Sequence, residues 1–214
     1  MAALDQAYIP VLALTTQNDA AGSRKSMDVL LTKWNAFKAT YYTAMPQDPQ
    51  WKPDLDTVDT TIKEANGMIT QGNLSAAHTG LEQFRLTMLD LRARNNIDYF
   101  IDKLTRFHAP METIVLAAVD KSPENVDVAT IRKAYPDAVA QWNVVKTGKI
   151  DATLYRLTPD KMAQLQSHMA NQTRAMDNLR AALDSGNTTT IGKTAVAIKG
   201  PFSILFSSFG KFPA

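Results

Sequence analysis

The chain has 214 residues, of which 45% are hydrophobic and 21% are charged. This composition is that of an ordinary globular protein, and the length is enough to bury a core in one large domain or two small ones. The formal net charge is +2 and the basic residues do not cluster, so the sequence does not predict nucleic-acid binding. Cysteine is absent, which excludes disulfides, thiolate metal sites and cysteine nucleophiles.

The N-terminus and the apolar runs bear on where the protein resides. No run of about 18 uninterrupted apolar residues occurs, so the sequence predicts no membrane-spanning helix. Residues 1–5 contain neither a charged nor an apolar signal region, and they resemble an initiator Met placed before the mature end of an exported protein. We therefore expect export to a bacterial periplasm. The alternative is a cytoplasmic protein that begins in this way.

Apolar residues recur at helical spacing along most of the chain. In chain order, these stripes cover residues 27–45, 55–69, 74–91, 97–115 and 162–183. The second stripe is opened by Pro53, which suits a first helical turn, and the last is preceded by Thr158, which suits an N-cap. No alternating strand pattern occurs. The sequence therefore predicts an all-α fold, a helical bundle of about seven or eight helices.

An internal repeat is suggested by two pairs of matching segments. Gly72-Asn73 matches Gly186-Asn187 at an offset of 114 residues, which also brings Arg85 onto Lys199. Trp34 matches Trp142 at an offset of 108. Accidental alignment of two amphipathic helices is the competing explanation. We expect two helical halves, 1–120 and 121–214, that pack as one globular unit, and duplication and accidental alignment are the two explanations of their likeness.

Two histidines each precede a glutamate by four residues. His78 is followed by Glu82, and His108 by Glu112. Residues four apart share a helix face, so each pair can direct an imidazole and a carboxylate at one point. The two pairs are symmetric about Asn95, and a turn there would bring all four side chains together. An unbroken helix through Asn95 is the alternative, and it would keep the pairs apart.

Four such donors predict a metal site. Imidazole and carboxylate together suit a divalent transition metal, and iron, zinc, manganese and copper all remain open. The spacing differs from the Glu-x-x-His motif of ferritin-like di-iron proteins, so that family is not implied. The metal-free alternative is a structural or partner-binding scaffold, in which the histidines and glutamates form a buried polar network. In that case Glu82 could simply pair with Arg85.

Two further features bear on ligands and partners. Met111 is a thioether that could join a copper site, although methionines at helical spacing are more often core residues. The C-terminal segment contains four phenylalanines after Gly200-Pro201, which should interrupt the last helix. We expect Phe202 and Phe209 in the core, and Phe206 and Phe212 to be left for a protein partner or a second copy of the chain. No phosphate-binding loop or nucleophile motif occurs.

Overall fold

The computed structural model describes residues 1–213, and these residues form helices and connections without any strand. The all-α prediction is confirmed. The α-helices are α1 (Ala2–Thr16), α2 (Ala20–Tyr41), α3 (Trp51–Thr70), α4 (Leu74–Arg94), α5 (Phe100–Leu116), α6 (Val128–Thr147), the single turn α7 (Ala152–Tyr155), α8 (Pro159–Ser185), α9 (Thr188–Ala197) and α10 (Lys199–Ser207). A 3-10 turn, Pro123–Asn125, lies between α5 and α6.

The chain divides into two compact units, and unit 1 comprises Met1–Tyr99 and the C-terminal segment from Ser207. Its helices form a closed ring, in which α1 and α3 each pack against both α2 and α4. The C-terminal segment contacts α1, where the backbone N–H of Lys211 donates to the carbonyl oxygen of Gln6 at 2.8 Å. The ring encloses an aliphatic and aromatic core that includes Tyr8, Leu30, Trp34, Leu55, Ile62, Leu81 and Phe84.

Unit 2 comprises Phe100–Phe206 and has the same ring order. Here α5 and α8 each pack against both α6 and α9. The helix α10 follows α9 after a break at Ile198. This break agrees with the predicted interruption, because Pro201 has no N–H to donate to the preceding turn. The core of unit 2 includes Leu104, Phe107, Met111, Trp142, Leu165, Met176, Leu179, Ile191 and Phe202.

Two of the helices in each unit begin with the same capping residue at a matching place. The side chain of Asp19 caps α2 and that of Asp127 caps α6, each by accepting from a backbone N–H three residues later. Asn73 and Asn187 cap α4 and α9 in the same manner. These matches keep the offsets of 108 and 114 residues that the sequence suggested. The internal repeat stays a prediction, because Asp and Asn are also among the commonest N-cap residues.

The connection that follows α4 has the predicted break. The helix ends at Arg94, Asn95 is its C-cap, and Asn96 has a φ of 54°, in the left-handed region. The Asn95 side chain holds this end by donating to the carbonyl oxygen of Leu91 at 2.9 Å and to Asp48 Oδ2 at 2.6 Å. The alternative of one unbroken helix through Asn95 is therefore wrong.

Other expectations differ from the structure. We predicted a boundary near residue 120, whereas the units divide between Tyr99 and Phe100, because α5 packs against helices of unit 2. Phe206 was expected to be free for a partner, but only 6% of it is exposed, so that expectation is wrong. Phe212 is 42% exposed, and Phe202 and Phe209 are buried as predicted.

Candidate metal-binding pairs

The unit 1 pair, His78 and Glu82, lies on the face of α4 that meets the C-terminal half of α1. The imidazole Nε2 of His78 is 3.9 Å from Glu82 Oε1. This separation is too long for a hydrogen bond. Two metal bonds of about 2.1 Å at a tetrahedral angle would place the atoms about 3.4 Å apart, so a small side-chain rotation would allow both atoms to bind one ion. Both side chains are about one quarter to one third exposed.

The other imidazole nitrogen of His78 is held by α1. Nδ1 lies 3.2 Å from the carbonyl oxygen of Leu12 and 3.0 Å from Thr16 Oγ1. The Thr16 hydroxyl itself donates to the Leu12 carbonyl, so its proton is already used. In the tautomer that carries its proton on Nδ1, this nitrogen donates to the Leu12 carbonyl, and Nε2 has a lone pair. Metal-binding histidines in proteins are commonly oriented in this way, by a backbone carbonyl on the second nitrogen.

Glu82 is held from its other oxygen by Arg85. The guanidinium Nη2 of Arg85 donates to Glu82 Oε2, and the Arg85 side chain is only 5% exposed. Tyr8 of α1 lies nearby and donates its hydroxyl proton to the carbonyl oxygen of Leu81 at 2.8 Å. Burial, and then the charge of Glu82, raise the pKa of Tyr8 well above its ordinary value. Tyr8 therefore remains a neutral hydrogen-bond donor beside the pair.

The unit 2 pair, His108 and Glu112, lies on α5 and shows the same separation. His108 Nε2 is 3.9 Å from Glu112 Oε2, and Glu112 Oε1 is 3.2 Å from Lys199 Nζ of α10. The ring of His108 lies against Phe202, with centroids 5.4 Å apart. Glu112 Oε2 is shielded from solvent and accepts no hydrogen bond from the described residues. A shielded carboxylate oxygen of this kind is a favourable position for a cation.

The two pairs lie at the same contact of their units, between the first helix and the fourth, which in unit 2 is α9 together with α10; we call this contact the first–fourth seam. The offset of 114 residues places Arg85 on Lys199, and it places His78 on Gly192. Alignment of the internal prolines of α1 and α5 places Tyr8 on His108. The seam thus carries a histidine, a glutamate and a cation in both units. The fourth helix supplies the pair in unit 1, and the first helix supplies it in unit 2.

The structure brings together the members of each pair, and the pairs belong to different units. Across residues 1–213, no three or more His, Cys, Asp or Glu side chains form a group placed to hold a metal ion. The site of four donors, His78, Glu82, His108 and Glu112, therefore stays a prediction. The side chains of both pairs are 20–33% exposed, so the expectation of a buried network has to be corrected to a half-buried one.

Sequence reasoning missed parts of both seams. Leu12 and Thr16 gave no signal, because no helix was predicted before residue 27 and the contacts cross between helices. Lys199 had a signal, since the repeat places it on Arg85. Glu82 does pair with Arg85, as the metal-free alternative allowed. Met111 is fully buried in the core of unit 2, which agrees with the structural explanation of that residue.

A second polar cluster in unit 1 was not predicted. Asp5 is 4% exposed and accepts a hydrogen bond from the Tyr99 hydroxyl, and the Arg92 guanidinium lies 4.6 Å from the centroid of the Tyr99 ring. Burial raises the pKa of Asp5, and the charge of Arg92 and the Tyr99 hydrogen bond oppose that rise. These contacts join the start of α1 to the end of α4 and the residues after it, so we assign this cluster a structural role.

The comparisons with known proteins leave the function to be argued from these residues. The chain matches no protein-family model, no curated protein and no solved structure. In the part of the chain that is described, none of the helices combines the length and the apolar character needed to cross a membrane. The physical chemistry of the first–fourth seams therefore carries the functional argument.

Proposed function

We propose that this helical protein binds a divalent transition metal through its two histidine–glutamate pairs, His78 with Glu82 and His108 with Glu112. The observation that carries the proposal is the arrangement at His78. Its Nδ1 lies 3.2 Å from the Leu12 carbonyl oxygen of α1, its Nε2 faces the Glu82 carboxylate at 3.9 Å, and Arg85 holds the other oxygen of that carboxylate. Imidazole and carboxylate donors suit iron, zinc, manganese or copper, and water molecules would complete the coordination of the ion.

The recurrence of the pair at an equivalent seam supports the proposal further. If the units arose by duplication, the seam has a histidine and a glutamate in both, although different helices supply them. The shielded Oε2 of Glu112 adds an independent reason, because a bound cation would compensate an oxygen that otherwise has no hydrogen bond among the described residues.

Metal counting tests this function directly. Protein purified without an affinity tag would be dialysed against Zn²⁺, Mn²⁺, Co²⁺ or Cu²⁺, and bound metal would be measured by mass spectrometry. We expect the His78→Ala/His108→Ala variant to lose the bound ion. His168→Ala is the matched control, because His168 has Gln172 rather than an acid four residues later. Equal metal content in the wild type and the double variant would contradict the proposal.

The same measurement distinguishes one shared site of four donors from one separate site at each pair. One ion per chain that is lost in either single variant, His78→Ala or His108→Ala, indicates one site of four donors. Two ions, each lost in one single variant, indicate one site per pair. No bound ion favours the metal-free scaffold, in which Arg85 and Lys199 already neutralise the two glutamates.

Export to a periplasm remains a prediction from the N-terminal residues. Cell fractionation with an antibody against the native protein tests it. Recovery of the protein with cytoplasmic markers would favour the alternative.

A further inference from the structure

We propose that Arg85 and Lys199 are positioning residues, each of which orients the carboxylate of its pair toward the histidine. This inference rests on the proposed metal-binding function and adds the side chains that orient the metal-binding carboxylates. It starts from a shared geometry. In each pair the cation contacts one carboxylate oxygen, and the histidine Nε2 faces the other.

The geometry assigns a different task to each carboxylate oxygen. Arg85 contacts Oε2 of Glu82, while Oε1 faces His78. A glutamate side chain has three rotatable torsions, and fixing its distal oxygen removes much of the freedom that metal binding would otherwise have to restrict. Hydrogen bonds to the ligating carboxylate are a usual component of metal sites. By orienting the carboxylate, the guanidinium of Arg85 favours metal binding, and this gain opposes the repulsion between its positive charge and the metal ion.

Arg85 and Lys199 should differ in how strongly they restrict the glutamate of their pair. Arg85 is 5% exposed and its guanidinium is a rigid planar group, whereas the Lys199 side chain is 44% exposed. A lysine ammonium is a mobile point charge on a flexible stem, and solvent screens it. Arg85 should thus restrict Glu82 more than Lys199 restricts Glu112. We expect the unit 1 pair to be the tighter site.

A Co²⁺ titration with one pair at a time tests the inference. His108→Ala isolates the unit 1 pair and His78→Ala isolates the unit 2 pair, and the visible absorption of Co²⁺ reports its ligands. We expect Arg85→Met to weaken binding by about 10–100-fold and Arg85→Lys to recover part of the loss. Lys199→Met should weaken the unit 2 pair by less than tenfold. Lys193→Met, an exposed change on α9, is the control and should have no effect.

A double-mutant cycle distinguishes positioning from general structural damage. If Arg85 acts through Glu82, then Arg85→Met has no further effect on Co²⁺ affinity once Glu82→Gln is present. An undiminished effect in that background overturns the inference, and so does wild-type affinity in Arg85→Met. If Arg85→Met does not fold, Arg85→Lys and Lys199→Met provide the same comparison. Absence of Co²⁺ binding by both isolated pairs and by the wild type overturns the proposed function as well.

Discussion

At the scale of single residues, a buried tryptophan donates a hydrogen bond in each unit, but the acceptor is a carboxylate in unit 1 and a hydroxyl in unit 2. Trp34 Nε1 donates to Asp59 Oδ1 at 2.8 Å in unit 1, and Trp142 Nε1 donates to Thr173 Oγ1 at 3.0 Å in unit 2. Asp59 also pairs with Lys38 and Lys63. Burial raises the pKa of Asp59, but the hydrogen bonds from Lys63, Trp34 and Lys38 outweigh it and lower the pKa to about 2. The charge of Asp59 therefore stabilises the folded state.

The resulting prediction concerns Asp59→Thr, which copies the residue of unit 2. The pKa falls from 3.8 to about 2 on folding, so the contribution is complete above pH 4 and is lost as the pH falls toward 2. Asp59→Thr should reduce the free energy of unfolding by about 2 kcal/mol at pH 7 and have little effect at pH 2. Chemical denaturation at several pH values measures this.

The control for that series is Thr173→Val, which removes the equivalent acceptor from Trp142 without changing a titratable group. Its cost should stay constant between pH 2 and pH 7. A cost of Asp59→Thr that is equally constant over this range would show that the Asp59 charge does not contribute.

At the scale of helices, α1 shows why a stripe search can miss an element. Its buried residues lie on several faces and include Leu4, Ile9, Val11 and Leu12, so no single stripe stands out. One of the segments that cover α1 comes from the far end of the chain. A Cβ added to Gly210 would lie 2.8 Å from Ile9 Cγ2 and 3.2 Å from Pro10 Cδ, so the absence of a side chain allows this close approach.

Gly210→Ala should therefore destabilise unit 1. Overpacking against the buried Ile9 side chain typically costs about 1–3 kcal/mol. Gly67→Ala in α3 is the matched control, since nothing lies within 4 Å of its added Cβ, and it should stabilise the helix by about 0.5–1 kcal/mol. Thermal unfolding measures both. A stability for Gly210→Ala at or above that of the wild type would contradict the close packing of the C-terminal segment on α1.

At the scale of the whole molecule, each unit is a ring of four helices with a first–fourth seam of its own. A ligand that binds only the folded form stabilises it by mass action, by about 2.7 kcal/mol at 100 times the dissociation constant. If each pair binds metal, that stabilisation should arise in the unit that carries an intact pair. Which unit the metal stabilises therefore depends on which pair is intact in the complete chain.

Hydrogen exchange with and without Zn²⁺ tests this. In His108→Ala we expect Zn²⁺ to slow exchange in α4, and in His78→Ala we expect it to slow exchange in α5. His168→Ala should behave as the wild type does. Protection of α4 and α5 in the wild type that is absent from both helices in each single variant would contradict separate sites and favour one shared site.

Much of the fold followed from local sequence features. The apolar stripes placed α3, α4 and α8, Thr158 and Asn73 are caps, and Gly72 and Gly186 adopt the positive φ that favours glycine after a helix. Each His–Glu pair also followed, because residues four apart on a helix are neighbours whatever surrounds them. Caps, helical periodicity and spacing on one helix depend on residues close in sequence, and the sequence by itself determined them.

Tertiary structure decided what depends on contacts between distant residues. The carbonyl oxygen of Leu12 contacts Nδ1 of His78 across 66 positions, and Lys199 contacts Glu112 across 87. The boundary at Tyr99 and the burial of Phe206 depend in the same way on which helices pack together. Spacing along the chain does not predict these contacts, because they form only when the apolar faces of particular helices pack together in the folded protein.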